Sequence, residues 1–164
     1  MPRINYPVNR TGLLLVDPYN DFLSEGGKLW PQIRQIAESI DLIGHMRTLL
    51  VTTRRLGIAV FYVPHRRSQE GDYDNWRYPS PMQLTNDRGA VFADGTWGAD
   101  WHPDFAPEAG DIIVQQHWGQ NGFIHTDLDL QLRSAGSKGS FLPVWRQIPV
   151  SRRPHAMPPN SATT

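Results

Sequence analysis

The sequence predicts an α/β domain built on a parallel sheet, and three observations support this. Two apolar runs, residues 13–16 and 58–63, are continuous rather than alternating, which is typical of strands buried on both faces. Between them, apolar residues recur at three- and four-residue spacing, which indicates a helix. A third apolar run lies in residues 111–117, and a helix start follows it. Strands that alternate with helices favour a parallel sheet with right-handed crossovers.

The first half of the chain predicts a strand, a helix and a second strand. The first strand covers residues 13–16 and ends in an Asp-Pro pair. The helical pattern begins near Pro31, a residue suited to a first helical turn, and it forms one long or broken helix that stops at Gly57. The second strand follows over residues 58–63 and ends in a Pro-His pair.

The second half begins with an irregular excursion rich in aromatic residues, over residues 66–110. An excursion of that length inside a compact domain is usually functional or partly structured. The third strand lies within residues 111–117. Thr126 is expected to cap the next helix, with Asp129 completing a weak capping box, and Gly136 is a natural stop.

The chain changes character near Gly136. Residues up to Asp129 include 11 basic and all 16 acidic residues, and the five remaining basic residues follow. The last segment is rich in Ser and Pro, so we expect a domain over residues 1–136 and a poorly ordered basic tail over 137–164. The apolar pair at 141–142 is followed at once by proline, which cannot donate to a central ladder. We therefore expect the sheet to end after the third strand and its helix.

Composition excludes several classes of function. The 164 residues contain no cysteine, which excludes disulfides, cysteine-ligated metals and thiol nucleophiles. No apolar run reaches the roughly 20 residues of a membrane span, and the N-terminus lacks a signal-peptide core, so we expect a cytoplasmic protein. Motifs for dinucleotides, phosphates and serine hydrolases are absent, so no cofactor is expected. The basic residues near the C-terminus are too sparse to predict a nucleic-acid partner.

Three candidate residues follow the three predicted strands. Asp17, His65 and His117 stand at the carboxyl ends, which meet at one rim of a parallel sheet, where ligands bind. A carboxylate beside an apolar strand suits acid–base work, although Asp17 could equally serve as a turn or cap, the role we expect for Asp21. His117 is a candidate proton carrier or substrate contact, or a structural histidine.

A metal site is an alternative at this rim. Asp100 and His102 have the Asp-x-His spacing of some metal sites, and His65 or His117 could supply the further histidine such a site needs. The aromatic excursion could form a lid, an oligomer interface or a cap on the core.

Two segments carry a family resemblance that covers roughly residues 10–136. TGLLLVDPYNDFLSEGG resembles the opening of isochorismatase-like (cysteine) hydrolases, and ADWHPDFAPEAGDIIVQQHWGQNGFIHTDLDLQLRSAG resembles their middle strand and the helix start after it. The resemblance implies a three-layer α/β/α, Rossmann-like fold that is usually oligomeric, and hydrolysis of a small amide or related substrate. Most members use an Asp–Lys–Cys triad in which the Asp takes the thiol proton and the thiolate attacks the carbonyl. A smaller branch hydrolyses a vinyl ether without the Cys.

The resemblance assigns residues one by one. Asp17 matches the family Asp, whereas Gln115 stands at or near the Lys position and the Cys-bearing segment is missing. Tyr19 replaces the usual Gln of the opening motif, and His117 could substitute for the Lys as a cation. The residues expected to contact a small-molecule substrate are Phe22, Trp97, Trp118 and Phe123.

Three interpretations follow. The first is a hydrolase-family protein, expected to be a homo-oligomer, whose activity is lost or impaired. The second is a non-catalytic module for small-molecule binding or oligomerisation, and the third is a metal- or His-assisted hydrolase. The change of pattern at Gly136 also leads to the hypothesis that a shifted reading frame or a spliced end produces the last segment, with a genuine divergent C-terminus as the alternative. Translating the other two frames of the gene tests this hypothesis.

Overall fold

A four-stranded parallel sheet forms the centre of the molecule. The computed structural model describes residues 6–136 and the backbone of residues 140–143. The strand order is β3-β2-β1-β4. The strands are β1 (Thr11–Val16), β2 (Ala59–Val63), β3 (Ile112–Ile113) and β4 (Ser140–Pro143). The predicted α/β class with a parallel sheet is confirmed.

The register places all the carboxyl ends at one rim. Val16 at the end of β1 pairs with Val63 at the end of β2. Tyr62 pairs with Ile113, so β3 runs in the same direction on the far side of β2. The first five residues of β1 are buried, as the continuous apolar run predicts for a central strand.

Five α-helices surround the sheet in the described part of the chain. They are α1 (Asn20–Leu23), α2 (Trp30–Ser39), α3 (Leu42–Arg55), α4 (Pro81–Arg88) and α5 (Leu128–Ser134). Helices α2 and α3 are the two halves of the predicted broken helix. The break is at Asp41, whose φ of 46° lies in the left-handed region. After α3, Gly57 adopts a φ of +68°, which a glycine accommodates easily.

Alternate residues of β1 pack into two different clusters, one on each face of the sheet. On one face, side chains of β1 and β2 meet α3 and a short 3-10 helix, in a cluster of Leu13, Leu15, Leu23, Met46, Leu50, Val60, Tyr62 and Phe105. On the other face the cluster centres on α5, with Leu14, Phe61, Val63, Val114, Leu128 and Leu132. The sheet therefore lies between two helical layers, which confirms the three-layer architecture.

The aromatic excursion is partly structured. It contains α4, whose N-terminus is closed by a capping box between Ser80 and Gln83, and 3-10 turns at Trp97–Ala99 and Pro103–Phe105. A third apolar cluster, formed by Tyr19, Val91, Phe92 and Ala99, anchors the excursion to the segment after β1. The excursion therefore forms one wall of the rim.

The expectation that the sheet ends after the third strand is wrong. Strand β4 pairs in parallel with β1, from Thr11 opposite Ser140 to Leu14 opposite Pro143. The proline is tolerated because β4 lies at the edge of the described sheet and Pro143 is its last residue. Residues 137–139 and 144–164 lie outside the described part, so the basic tail stays a prediction there.

Two local predictions also need correction. The third strand has only two residues, Ile112–Ile113, although Val114 N–H still donates to Tyr62 O and His117 N–H donates to Pro64 O. The residue that precedes α5 is Asp127 rather than Thr126, and Asp129 instead forms an i,i+4 pair with Arg133. The Thr126 hydroxyl donates to Gly122 O at 2.6 Å and accepts from Leu128 N–H at 3.3 Å. Within the described residues, no helix has the length and apolar character needed to cross a membrane.

Candidate functional site

The rim of the sheet brings Asp17, His65 and His117 together. The backbone N–H of Asp17 donates to Val63 O at 3.2 Å, which joins the ends of β1 and β2. His65 and His117 form an isolated parallel bridge, and their ring centroids lie 5.1 Å apart. These contacts form because Asp17 directly follows β1, and His65 and His117 lie a few residues beyond the ends of β2 and β3 at the same rim.

Asp17 and His117 form a hydrogen-bonded pair. His117 Nε2 lies 3.1 Å from Asp17 Oδ1, and His117 Nδ1 lies 2.5 Å from Gly119 O. The His117 side chain is 2% exposed, whereas that of Asp17 is 21% exposed and reaches solvent. Because both ring nitrogens face oxygen acceptors, the ring satisfies both contacts only as an imidazolium with two N–H donors.

The environment of His117 favours its charged form. Burial lowers the pKa of His117, but the hydrogen bond to Asp17, the charge of that carboxylate and bonds to backbone carbonyls outweigh it. The net result is a His117 pKa above its ordinary value. The surroundings of His117 therefore favour its protonated form beside Asp17.

The backbone at Asp17 is strained. Its φ is 51°, in the left-handed region that residues other than glycine rarely adopt. Hydrogen bonds hold it there, because Asp17 N–H donates to Val63 O and Asp17 O accepts from Tyr19 N–H at 2.7 Å. Strain of this kind is concentrated at functional sites, where the surrounding structure maintains it.

His65 lies beside the pair, and its surroundings shift its pKa in the opposite direction. Burial is the main cause that lowers the pKa of His65, and the neighbouring His117 lowers it further. His65 Nδ1 is 2.9 Å from Arg66 O, and the ring packs on Phe92 with centroids 5.4 Å apart. The rim therefore contains two imidazoles whose pKa values are shifted in opposite directions.

Tyr19 is an internal brace whose role sequence analysis missed. Its side chain is buried, its hydroxyl donates to His65 O at 3.1 Å, and its ring stacks on Trp101 with centroids 4.9 Å apart. Burial raises the pKa of Tyr19, so the phenol stays protonated. The guanidinium carbon of Arg67 lies 5.5 Å from the centroid of the Tyr19 ring. The only sequence signal was the replacement of the family's usual Gln.

Asp21 is a clamp between distant segments, not a helix cap. The residue before α1 is Tyr19, and the buried Asp21 carboxylate accepts from Phe92 N–H at 2.8 Å and from Lys28 N–H at 3.1 Å. It holds Phe92 at a φ of 54°, with the Phe92 ring against His65. No local pattern shows a contact over such a separation, so sequence analysis assigned Asp21 only a capping role.

The two glutamines near the family's Lys position lie in different surroundings. Gln115 is exposed, and its backbone N–H donates to Asp127 Oδ1 at 2.7 Å. Gln116 Oε1 accepts from Arg67 N–H at 3.1 Å, beside Tyr19. Gln116, rather than the predicted Gln115, therefore lies against the wall of the rim.

None of the four predicted substrate-contacting aromatic residues lines the cavity beside His65. Phe22 packs against two core clusters, whereas Trp97 is 53% exposed and Phe123 is 47% exposed. Trp118 lies under the Arg66 guanidinium, 4.6 Å from ring centroid to Cζ. This cavity of about 470 Å³ opens beside His65 and is lined by residues 80–83, by Asn86 of α4 and by loop residues 119–120.

The alternative metal site is not assembled in the described part of the chain. His102 Nδ1 accepts from Asp104 N–H at 3.1 Å and so caps a 3-10 turn. Asp100 uses its backbone carbonyl to accept from Asn20 N–H. No three His, Cys, Asp or Glu residues of residues 6–136 are grouped to hold an ion.

Comparison with known proteins agrees with this arrangement. A model of the isochorismatase domain matches residues 11–140. The chain belongs to the isochorismatase family. Ureidoacrylate amidohydrolase RutB of Serratia proteamaculans is 27% identical over 145 residues, which cover 81% of this chain and 57% of the relative. The RutB protein of Yersinia enterocolitica is 26% identical and covers 81% of this chain and 62% of its own length.

Solved structures of isochorismatase relatives share the fold. A cysteine hydrolase from Pseudomonas syringae superposes with a TM-score of 0.66 at 23% identity, covering 86% of this chain and 61% of that one. N-carbamoylsarcosine amidase from Thermoplasma acidophilum gives a TM-score of 0.54 at 25% identity, covering 82% and 67%. The chain spans about six-tenths of the length of the curated relatives it matches.

Proposed function

We propose that this chain is an isochorismatase-family protein that keeps a small-molecule site but has lost most or all of the family's hydrolysis of small amides or vinyl ethers. The observation that carries the proposal is the Asp17–His117 pair. It stands where the resemblance puts the family's catalytic Asp, without a thiol among the 164 residues.

The cation of the site also differs from the family pattern. The chain has two lysines, and the Nζ of one of them, Lys28, donates to Ala90 O on the surface. The other, Lys138, lies outside the described residues. His117 therefore takes the place of a lysine beside Asp17 in this proposal, and it is a weaker cation because it can lose its proton near neutral pH.

The missing thiol limits the chemistry. Amide hydrolysis through a thiolate needs a cysteine to attack the carbonyl carbon and donors to stabilise the oxyanion. Losing such elements typically costs several orders of magnitude in rate. The carboxylate and imidazolium that remain suit binding of a polar ligand.

Hydrolysis assays that compare the purified chain with the matched variant Asp17→Asn test the proposal. We expect both proteins to hydrolyse ureidoacrylate, other small amides and vinyl ethers at or near the uncatalysed rate. Turnover well above that rate in the purified chain that Asp17→Asn abolishes would contradict the proposal. Circular dichroism spectra of both proteins show whether the variant is folded, so that a loss of activity is not mistaken for a loss of structure.

The Asp17–His117 hydrogen bond also favours a second candidate, His-assisted hydrolysis. In that reaction Asp17 takes a proton from a water molecule whose oxygen attacks the carbonyl carbon, and the positive charge of the His117 imidazolium stabilises the charge that develops. The C–N bond then breaks, and the amine leaves with the proton that Asp17 returns to its nitrogen. The rate would then fall as pH rises through the pKa of His117, and His117→Gln would remove this dependence. A chelator that removed the activity would indicate the metal-assisted alternative instead.

Two further properties follow from the family and belong to the same proposal. We propose that the protein acts in the cytoplasm on small molecules, and that it assembles as a homo-oligomer, as relatives usually do. If the purified chain binds a small molecule but hydrolyses none of the substrates under any condition, the protein is a non-catalytic binding module.

A further inference from the structure

We propose that Met82 is a reversible oxidation site, and that its sulfoxide oxygen accepts a hydrogen bond from the side-chain amide of Gln120. This bond tightens the contact between α4 and residues 118–120, the loop that follows His117. The inference rests on the proposed function only in that the cavity between these two segments belongs to the same rim. Its test measures oxidation and hydrogen exchange, so its outcome does not depend on whether the chain hydrolyses any substrate.

The sulfur chemistry of this chain is limited to methionine. The 164 residues contain four methionines and no cysteine. Hydrogen peroxide oxidises cysteine thiolates and methionine thioethers. Because no thiolate competes for the oxidant, the methionines are the side chains that we expect it to modify first.

The two described methionines differ sharply in exposure. Met82 is 45% exposed and lines the cavity beside His65. Met46 is 2% exposed and belongs to the apolar cluster beneath α3. The oxidant has to reach a lone pair on the sulfur, so Met82 should react much faster than Met46.

Oxidation changes what Met82 offers to its neighbours. The sulfur takes one oxygen atom from hydrogen peroxide as the S–O bond forms and the O–O bond breaks, so the sulfur is oxidised and the peroxide is reduced to water. A thioether sulfur is a weak acceptor of hydrogen bonds. The sulfoxide is polar, and its oxygen is a much stronger acceptor. Methionine sulfoxide reductases reverse the change, which makes the site reversible.

The donor for the new oxygen is already in place. Gln120 Nε2 lies 3.1 Å from Met82 Sδ. A second contact, from Gln83 Nε2 to Trp118 O at 2.9 Å, also joins α4 to the loop. Both glutamine amides therefore hold the loop beside the first turn of the helix, and a small shift of the Gln120 side chain lets it donate to the sulfoxide oxygen.

Helix α4 depends on such contacts because it buries none of its own residues. A segment with little buried surface opens readily, and its amide hydrogens exchange with solvent at each opening. A stronger bond between Gln120 and residue 82 reduces the population in which α4 lies away from the loop. Oxidation therefore narrows access to the cavity that these two segments line.

Treatment with hydrogen peroxide followed by peptide mass mapping tests the site. We expect Met82 to gain an oxygen at least tenfold faster than Met46, and a methionine sulfoxide reductase to remove it. Hydrogen exchange tests the consequence, and the amides of residues 82–88 should exchange at least twofold more slowly in the oxidised chain. Met82→Leu, treated in parallel, should show no slowing. This variant accounts for oxidation at Met1 and Met157, which lie outside the described residues.

A pair of glutamine variants tests the proposed donor. Gln120→Ala should abolish the slowing, whereas Gln35→Ala, the same change at an exposed position on α2, should leave it intact. Oxidation of Met46 as fast as Met82 would contradict the assigned site. Equal or faster exchange in α4 after oxidation, or slowing that persists in Gln120→Ala, would contradict the assigned hydrogen bond.

Discussion

At the scale of single residues, Asp17 and His117 determine each other's role. The hydrogen bond and the charge of Asp17 raise the pKa of His117 against the effect of burial. In turn, His117 gives the side chain of Asp17, a residue with a strained backbone, a defined partner. Neither residue would have the same chemistry if the other were neutral. The effect of a substitution at one of the two positions should therefore be measured at the side chain of the other.

We predict that Asp17→Asn lowers the pKa of His117, because the charge and the hydrogen bond that raise it are lost. An NMR pH titration of the ring protons measures this shift. The matched control is Asp129→Asn, which removes an exposed ion pair with Arg133. If His117 titrates identically in the two variants, the pair does not exist in solution.

The same pair makes stability depend on pH. The folded-state pKa of His117 is raised, so its contribution is fully present below the unfolded-state value of about 6.5 and is lost as pH rises through the folded-state pKa. The stability difference between the unaltered chain and Asp17→Asn should therefore shrink with rising pH across that interval. Urea unfolding at several pH values measures it.

Some residue-scale features could be predicted from sequence and others could not. The positions of Asp17, His65 and His117 follow from strand ends, which a local pattern shows. The clamp from Asp21 to Phe92 and the brace from Tyr19 to His65 join segments far apart in the chain, and their geometry exists only once the excursion has folded. Sequence analysis therefore located the rim but not the residues that shape it.

At the scale of elements, close packing at Gly122 joins the loop before α5 to the sheet. A Cβ atom on Gly122 would lie 2.5 Å from Val63 Cγ1 and 3.8 Å from the His117 ring. Such a short distance forces the loop or the strand end to move. The approach of this loop to β2 thus depends on the absence of a side chain.

We predict that Gly122→Ala destabilises the fold by about 1–3 kcal/mol, the usual cost of overpacking. It should also disturb the His117 resonances, because that ring is adjacent. Chemical denaturation and NMR spectra measure the two effects. Gly119→Ala is the control, since a Cβ there would meet nothing within 4 Å. Equal stability of the two variants would contradict the packing described.

Elements with strong apolar patterns were predicted correctly, and weaker ones were not. Strands β1 and β2 and the end of α3 before Gly57 follow from apolar spacing and from the residues that end each run, whereas the position of the break at Asp41 was not predicted. Strand β4 was missed because an edge position tolerates a proline that a central strand would not. Pairing with β1 therefore stabilises this segment as a strand, although its proline locally disfavours one.

At the scale of the whole molecule, apolar side chains remain exposed both on the edge strand β3 and near the end of α3. Ile113 of β3 is 52% exposed, and Val51 and Leu56 near the end of α3 are also exposed. Sheet edges and apolar surface of this kind are normally covered or carry protective charges. This supports the proposal that copies of the chain associate.

We predict that light scattering coupled to gel filtration finds a homo-oligomer, and that the melting temperature rises with protein concentration. Association stabilises the folded state by mass action, so a higher protein concentration should raise the melting temperature. A monodisperse monomer with a cooperative, concentration-independent transition would contradict the prediction. Measurements at two salt concentrations distinguish apolar association from contacts made by the basic C-terminal segment.

The strand order also has a consequence for how the chain folds as it is synthesised. Strand β1 leaves the ribosome first, but one of its two neighbours, β4, is the last described strand to emerge. Pairing over such a separation raises contact order and slows folding. Until translation reaches Ser140, the nascent chain exposes one side of its innermost strand, which is where a chaperone that holds extended apolar segments would bind.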